Sequence, residues 1–178
     1  MSRWAAVVAG KGGRRSRAAR EVAEALAARG LRVGGFTQRT IEDDAGAKTI
    51  GLMRAAGGAE VPLARSVVPP PGSSGCSIVF EAAGFEAARR WVAEDAPGSD
   101  VVVLDGIGKL ELGGEGHRAA VARALADARL VVLAVRDDQL VYVVEALGLE
   151  EPVAAYTDGD GPAALDAFVA EVARAARG

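Results

Sequence analysis

The chain has 178 residues, half of them hydrophobic and a quarter charged, with a net charge of -3. That length supports a single domain with a sizeable core, and the mild acidity gives no reason to expect nucleic acid or an anionic membrane as a partner. One cysteine and one histidine exclude a disulfide framework and a Cys/His zinc site, and no apolar run approaches the roughly 20 residues of a membrane-spanning helix.

Met1-Ser2-Arg3-Trp4 leads directly into a strand-like run, so the expectation is a cytoplasmic protein without a secretory leader. Residues 4–9 (WAAVVA) form that first strand, followed at once by Gly10-Lys11-Gly12-Gly13. Residues 17–29 carry Ala18, Val22, Ala25 and Leu26 on the helical period, and Gly30 is placed to cap the helix. Residues 31–37 (LRVGGFT) are a second strand and 48–53 a weaker one. The Pro-, Gly- and Ser-rich stretch 67–77 is a loop on composition, and 80–94 a helix. Residues 101–105 (VVVLD) and 130–135 (LVVLAV) have the unbroken apolar character of strands buried on both faces. Helices over 116–126 and 139–147, a strand over 152–156 and a final helix from Pro162 complete the chain.

Strands alternating with helices predict a three-layer α/β fold over residues 1–178: a mainly parallel sheet with helices on both faces. In such sheets ligands sit beyond the carboxyl ends of the strands. Ala9, before the glycine run, and Leu104, before Asp105, are the strand ends that carry chemistry.

The first is the loop Gly10-Lys11-Gly12-Gly13-Arg14-Arg15-Ser16-Arg17. A glycine turn between strand and helix converges backbone N–H groups on an anion, and the helix start adds positive potential. A Walker A loop, GxxxxGK[ST], would add a lysine for phosphate and a hydroxyl for magnesium. Counted from Gly10, those last three positions hold Arg15, Ser16 and Arg17. What remains is the turn and a cluster of cations, Lys11, Arg14, Arg15, Arg17 and Arg20, which points to a phosphate or nucleotide site; the plainer reading is a tight turn before a solvated basic helix. A side chain at Arg15 obstructs close approach to a phosphate, but its guanidinium can hold an oxyanion bidentately.

The second is Val101-Val-Val-Leu-Asp105, the pattern of a Walker B strand whose aspartate holds magnesium. Asp105 is therefore the candidate metal-associated and catalytic residue. Together with the residues that follow (VVVLDGIGKLELGGEGHRAAVARAL), it resembles the small P-loop nucleoside-triphosphatase family known from thermophiles and from a human cancer-related member. LRVGGFT matches that family's strand after the P-loop helix. A bacterial family of unknown function is also similar, sharing Gln38 at the end of strand two, a G-K-x-E stretch like Gly108-Lys109-Leu110-Glu111, and a mid-chain cysteine like Cys76. The resemblance implies a P-loop NTPase fold with a nucleotide phosphate site. The chain departs from it at the Walker A positions and at Gly106, where the triphosphatases carry the glutamate that activates water. Lys11-Gly12-Gly13 also echoes the loop of the partition ATPases, an echo that stops at Arg15.

Glu111 is the candidate to replace the missing base, against a structural carboxylate, and Lys109 a candidate phosphate contact. Gln38, Arg39 and Thr40, and also Tyr156 and Thr157, follow or end strands and so are placed to line a cleft. His117 is expected at the surface, Cys76 to be an inert thiol, and Asp137-Asp138 to cap the following helix. The resulting expectation is a nucleotide- or oxyanion-binding protein with little or no hydrolysis. The alternative is a magnesium-dependent nucleoside triphosphatase with an unconventional loop.

Overall fold

The computed structural model describes residues 3–11, 14–68, 71–72 and 77–178. Its strands are β1 (Arg3–Ala9), β2 (Val33–Glu42), β3 (Lys48–Arg54), β4 (Glu60–Val67), β5 (Ser77–Phe80), β6 (Val101–Ile107), β7 (Leu130–Arg136) and β8 (Ala155–Thr157). The helices are α1 (Arg15–Ala28), α2 (Ala82–Asp95), the single turn α3 (Lys109–Leu112), α4 (Arg118–Asp127), α5 (Asp137–Leu147) and α6 (Pro162–Arg177). All strands join one sheet in the order β5-β4-β3-β2-β6-β7-β1-β8.

From β2 to β8 the pairing is parallel. Here the chain has no choice: β6 and β7 have apolar side chains on both faces, and only a sheet covered on both sides buries both. On one face Val22 and Leu26 of α1 and Phe168, Val169 and Val172 of α6 pack with Val103 and Val132. On the other, Trp91 of α2, Val121 of α4 and Val143 of α5 pack with Leu104 and Leu133. Leu26, Leu104 and Leu133 are fully buried, and each contributes about 1.5–3 kcal/mol by leaving water.

The other half of the sheet departs from the sequence expectation. β2 runs on to Glu42 and turns back as β3, and β4 and β5 extend the sheet antiparallel. Neither β4 nor β5 is anticipated by composition, and Phe80 lies in β5 rather than opening α2. The first helix begins at Arg15, not at residue 17, and β8 is only Ala155–Thr157. Cys76 lies outside the described residues.

Candidate anion-binding site

β1, β2, β6 and β7 run parallel, so their carboxyl ends share one edge of the sheet. β1 delivers the Gly10 loop and the start of α1 to that edge, β6 delivers Asp105, β2 delivers Gln38, and β7 delivers Arg136.

Arg15 reaches across to Asp105, with its Nε donating to Oδ1 at 2.9 Å. The other carboxylate oxygen, Oδ2, accepts the Gln38 backbone N–H at 2.8 Å. Gln38 closes the group: its Nε2 donates to the Asp105 carbonyl at 3.3 Å, and its Oε1 accepts from Arg15 Nη2 at 3.4 Å. Arg20 Nη1 donates to the Gln38 carbonyl at 3.3 Å. Asp105 is completely buried, so Arg15 and Gln38 are its environment.

Above this group opens a cavity of about 380 Å³, lined by Gly10, Ser16, Gln38 and Thr40 with Arg14, Arg15, Arg17, Arg20 and Arg136. Arg17 pairs with Glu21 at 2.8 Å, and Arg136 pairs with Asp138. With Arg15 on Asp105, three of the five arginines are ion-paired, while Asp158 accepts the Arg14 backbone N–H at 3.0 Å and Asp137 lies beside Gly10. The Nε of Arg136 is buried with no hydrogen-bond partner. Arg136 is the lining residue that sequence reasoning misses; its one signal is position, immediately beyond an apolar strand that ends beside β1 and β6.

Of the residues singled out in sequence, the structure gathers Gly10, Arg14, Arg15, Ser16, Arg17, Gln38 and Thr40 around this cavity. Lys11 is exposed and is not part of its lining, and Gly12 and Gly13 lie outside the described residues. Lys109 lines a neighbouring cleft instead. Arg39 turns away to Glu60, 2.8 Å from each of its oxygens. Asp137 and Asp138 form the first turn of α5, where Asp137 Oδ1 accepts the Asp138 N–H at 2.7 Å. Tyr156 packs its ring near Phe168 in the core.

The residues present do not fit the magnesium ion that the fold implies. Both oxygens of Asp105 already accept hydrogen bonds, one from a cation, and Arg17 stands where a hydroxyl ligand belongs. Among the described residues no cluster of three or more His, Cys, Asp or Glu side chains is placed to hold a metal.

Two carboxylate questions arise at the end of β6 and in the loop after it. Glu111 is buried, with Oε2 accepting the Gly108 N–H at 2.8 Å and Oε1 the His117 N–H at 2.7 Å. That engagement ties Glu111 to its own loop, and the residue also lines the neighbouring cleft. Gly106 has φ +88, and a Cβ there would lie 2.1 Å from Gln38 Nε2. The space a glutamate side chain would enter is filled by Gln38.

His117 is a correction: it is buried, not at the surface, with its ring 4.4 Å from that of Phe36 and 4.9 Å from that of Phe85. Burial first, and then the nearby Arg15 charge, push its pKa down from 6.5 to about 4. Above pH 6.5 both folded and unfolded histidine are neutral. Between pH 6.5 and 4 the unfolded chain takes up a proton that the folded one refuses, so stability falls with pH by roughly 3 kcal/mol over that window. Urea midpoints measured across it should fall more steeply for wild type than for His117→Phe, and identical slopes would contradict this assignment.

The architecture is that of an α/β protein with a mainly parallel sheet between two layers of helices. The solution structure of a human cancer-related nucleoside triphosphatase superposes with a TM-score of 0.66 at 22% identity, over 95% of this chain and 96% of that one. At that identity the likeness is one of fold. The chain belongs to the family described as proteins of unknown function (DUF2478), whose profile matches residues 4–142. That match spans the first loop, Gln38, Asp105 and Arg136. No curated protein matches the chain. Among the described residues no helix is long and apolar enough to cross a membrane.

Proposed function

We propose that this protein binds a nucleotide phosphate or a related oxyanion in the arginine-lined cavity and does not hydrolyse it efficiently. The observation that carries this reading is the convergence of five arginines from two separate chain segments, residues 14–20 at the start of α1 and the end of β7, on one opening. Such guanidinium groups bind oxyanions through paired, charge-assisted hydrogen bonds. A magnesium-dependent triphosphatase on the same fold is the competing reading, and the Arg15–Asp105 pair stands against it.

Titration calorimetry with ATP, GTP, phosphate, sulfate and molybdate, with and without magnesium, tests the proposal. Binding should appear without magnesium and weaken as salt rises. Arg17→Ala combined with Arg20→Ala should weaken it about tenfold or more, at about 1.5–3 kcal/mol for each hydrogen bond to a charged group. If none of these anions binds at low salt, the reading fails.

A further inference from the structure

Beside the arginine cavity lies a second cleft of about 460 Å³, more apolar in character, walled by Ile50 of β3, Ile78 and Phe80 of β5, and Phe85 of α2. Arg15, Gln38 and Arg136 line both openings, so the two adjoin at those side chains. Ile78 and Phe80 are 46% and 43% exposed, unusual for large apolar residues on a four-residue edge strand. His117 forms part of the same wall. Both of its ring nitrogens are buried and lack hydrogen-bond partners, although a neutral imidazole carries one donor and one acceptor.

We infer that the ligand is a ring-bearing organic phosphate, with its phosphate among the arginines and its planar ring in the apolar cleft. This inference rests on the anion reading above and names the class of ligand. An inorganic oxyanion uses only the charged opening and leaves Phe80, Ile78 and Ile50 without a role. A purely apolar ligand would leave the arginines unmatched. The cleft falls within the usual size of small-molecule sites, which combine mainly apolar walls with a few placed polar groups. Phe80 and Phe85, with ring centroids 5.6 Å apart, supply aromatic surface against which a flat ring packs. The unpartnered His117 nitrogens supply the polar groups that favour a heteroatom on that ring.

The experiment compares phenyl phosphate, glycerol 3-phosphate and inorganic phosphate by calorimetry on the full chain at low salt. Phenyl phosphate should bind at least about tenfold more tightly than glycerol 3-phosphate, because only the former buries a ring. Phe80→Ser and Ile78→Ser, both at exposed positions of β5, should move that ratio toward one, with circular dichroism reporting that the variants fold. A ratio near one in the wild type, with phosphate still bound, overturns the ring subsite and leaves the anion site standing. A ratio unchanged by both substitutions also overturns it, because the ring then sits elsewhere. If none of the three compounds binds, the anion reading itself falls and this inference falls with it.

Discussion

Purified protein supplied with ATP or GTP and magnesium should release phosphate at least about a thousandfold more slowly than the ordinary enzyme turnover of about 1–10³ s⁻¹. Phosphoryl transfer depends on positioning and on charge stabilisation, and a single well-placed cation is worth about 10³–10⁵ in rate. Here Ser16 stands at the lysine position and Arg17 at the hydroxyl position. Asp105 is spent on Arg15 and Gln38, and the glutamate position is glycine. Each oxygen of Glu111 holds a backbone N–H of its own loop. The measurement is phosphate release by wild type beside Asp105→Asn, which separates the protein's own activity from a contaminant's. Turnover near 1 s⁻¹ that disappears in the variant would refute the expectation. Lys109, the cation on the neighbouring cleft, would then be the first residue to replace.

Asp105→Ala should destabilise the fold by about 3 kcal/mol, at the low end of the 3–5 kcal/mol typical for breaking a buried ion pair. The lower figure is chosen because the Arg15 side chain keeps 23% of its exposure and water can partly solvate it, whereas Asp105 keeps none. The alanine also strands the Gln38 N–H, which loses its acceptor inside the protein. For a chain of this length such a loss lowers the melting temperature by about 6–12 °C. Asp105→Asn should cost less, since an amide oxygen can still accept one of these bonds. Urea denaturation of the three proteins checks the order, and a loss below 1 kcal/mol for the alanine would mean that the pair is not what holds the strand ends together.

The parallel half of the fold is legible in the sequence because β1, β6 and β7 are unbroken apolar runs, and the points where two of those runs stop mark Gly10 and Asp105. β4 and β5 are not legible in the same way. Pro62 interrupts β4, a register shift breaks the β3–β4 pairing at Ile50/Gly51, and β5 is short and exposed along its whole length. An edge strand with that composition has no periodicity to read. The cations of the first loop are visible as a cluster, but the pairing of Arg15 with Asp105 spans 90 residues and follows only from the sheet order. His117 reads as solvated because its burial is imposed by Phe36 and Phe85, which are remote in sequence. Gln38 stands out in sequence as a strand end and as a position shared with the bacterial family of unknown function. Its place at the centre of the hydrogen-bonded group depends on β2 lying beside β6.

The contest between Gly106 and Gln38 for one volume also constrains how this chain could change over generations. A glutamate installed at 106 alone meets the Gln38 amide and takes a backbone angle that suits glycine. Shortening Gln38 first removes the bond to the Asp105 carbonyl and frees one side of Arg15 before any carboxylate arrives to use the room. A side chain at 106 therefore strains the backbone at φ +88 and shifts the Gln38 amide away from the Asp105 carbonyl, so the two positions are coupled through one hydrogen bond.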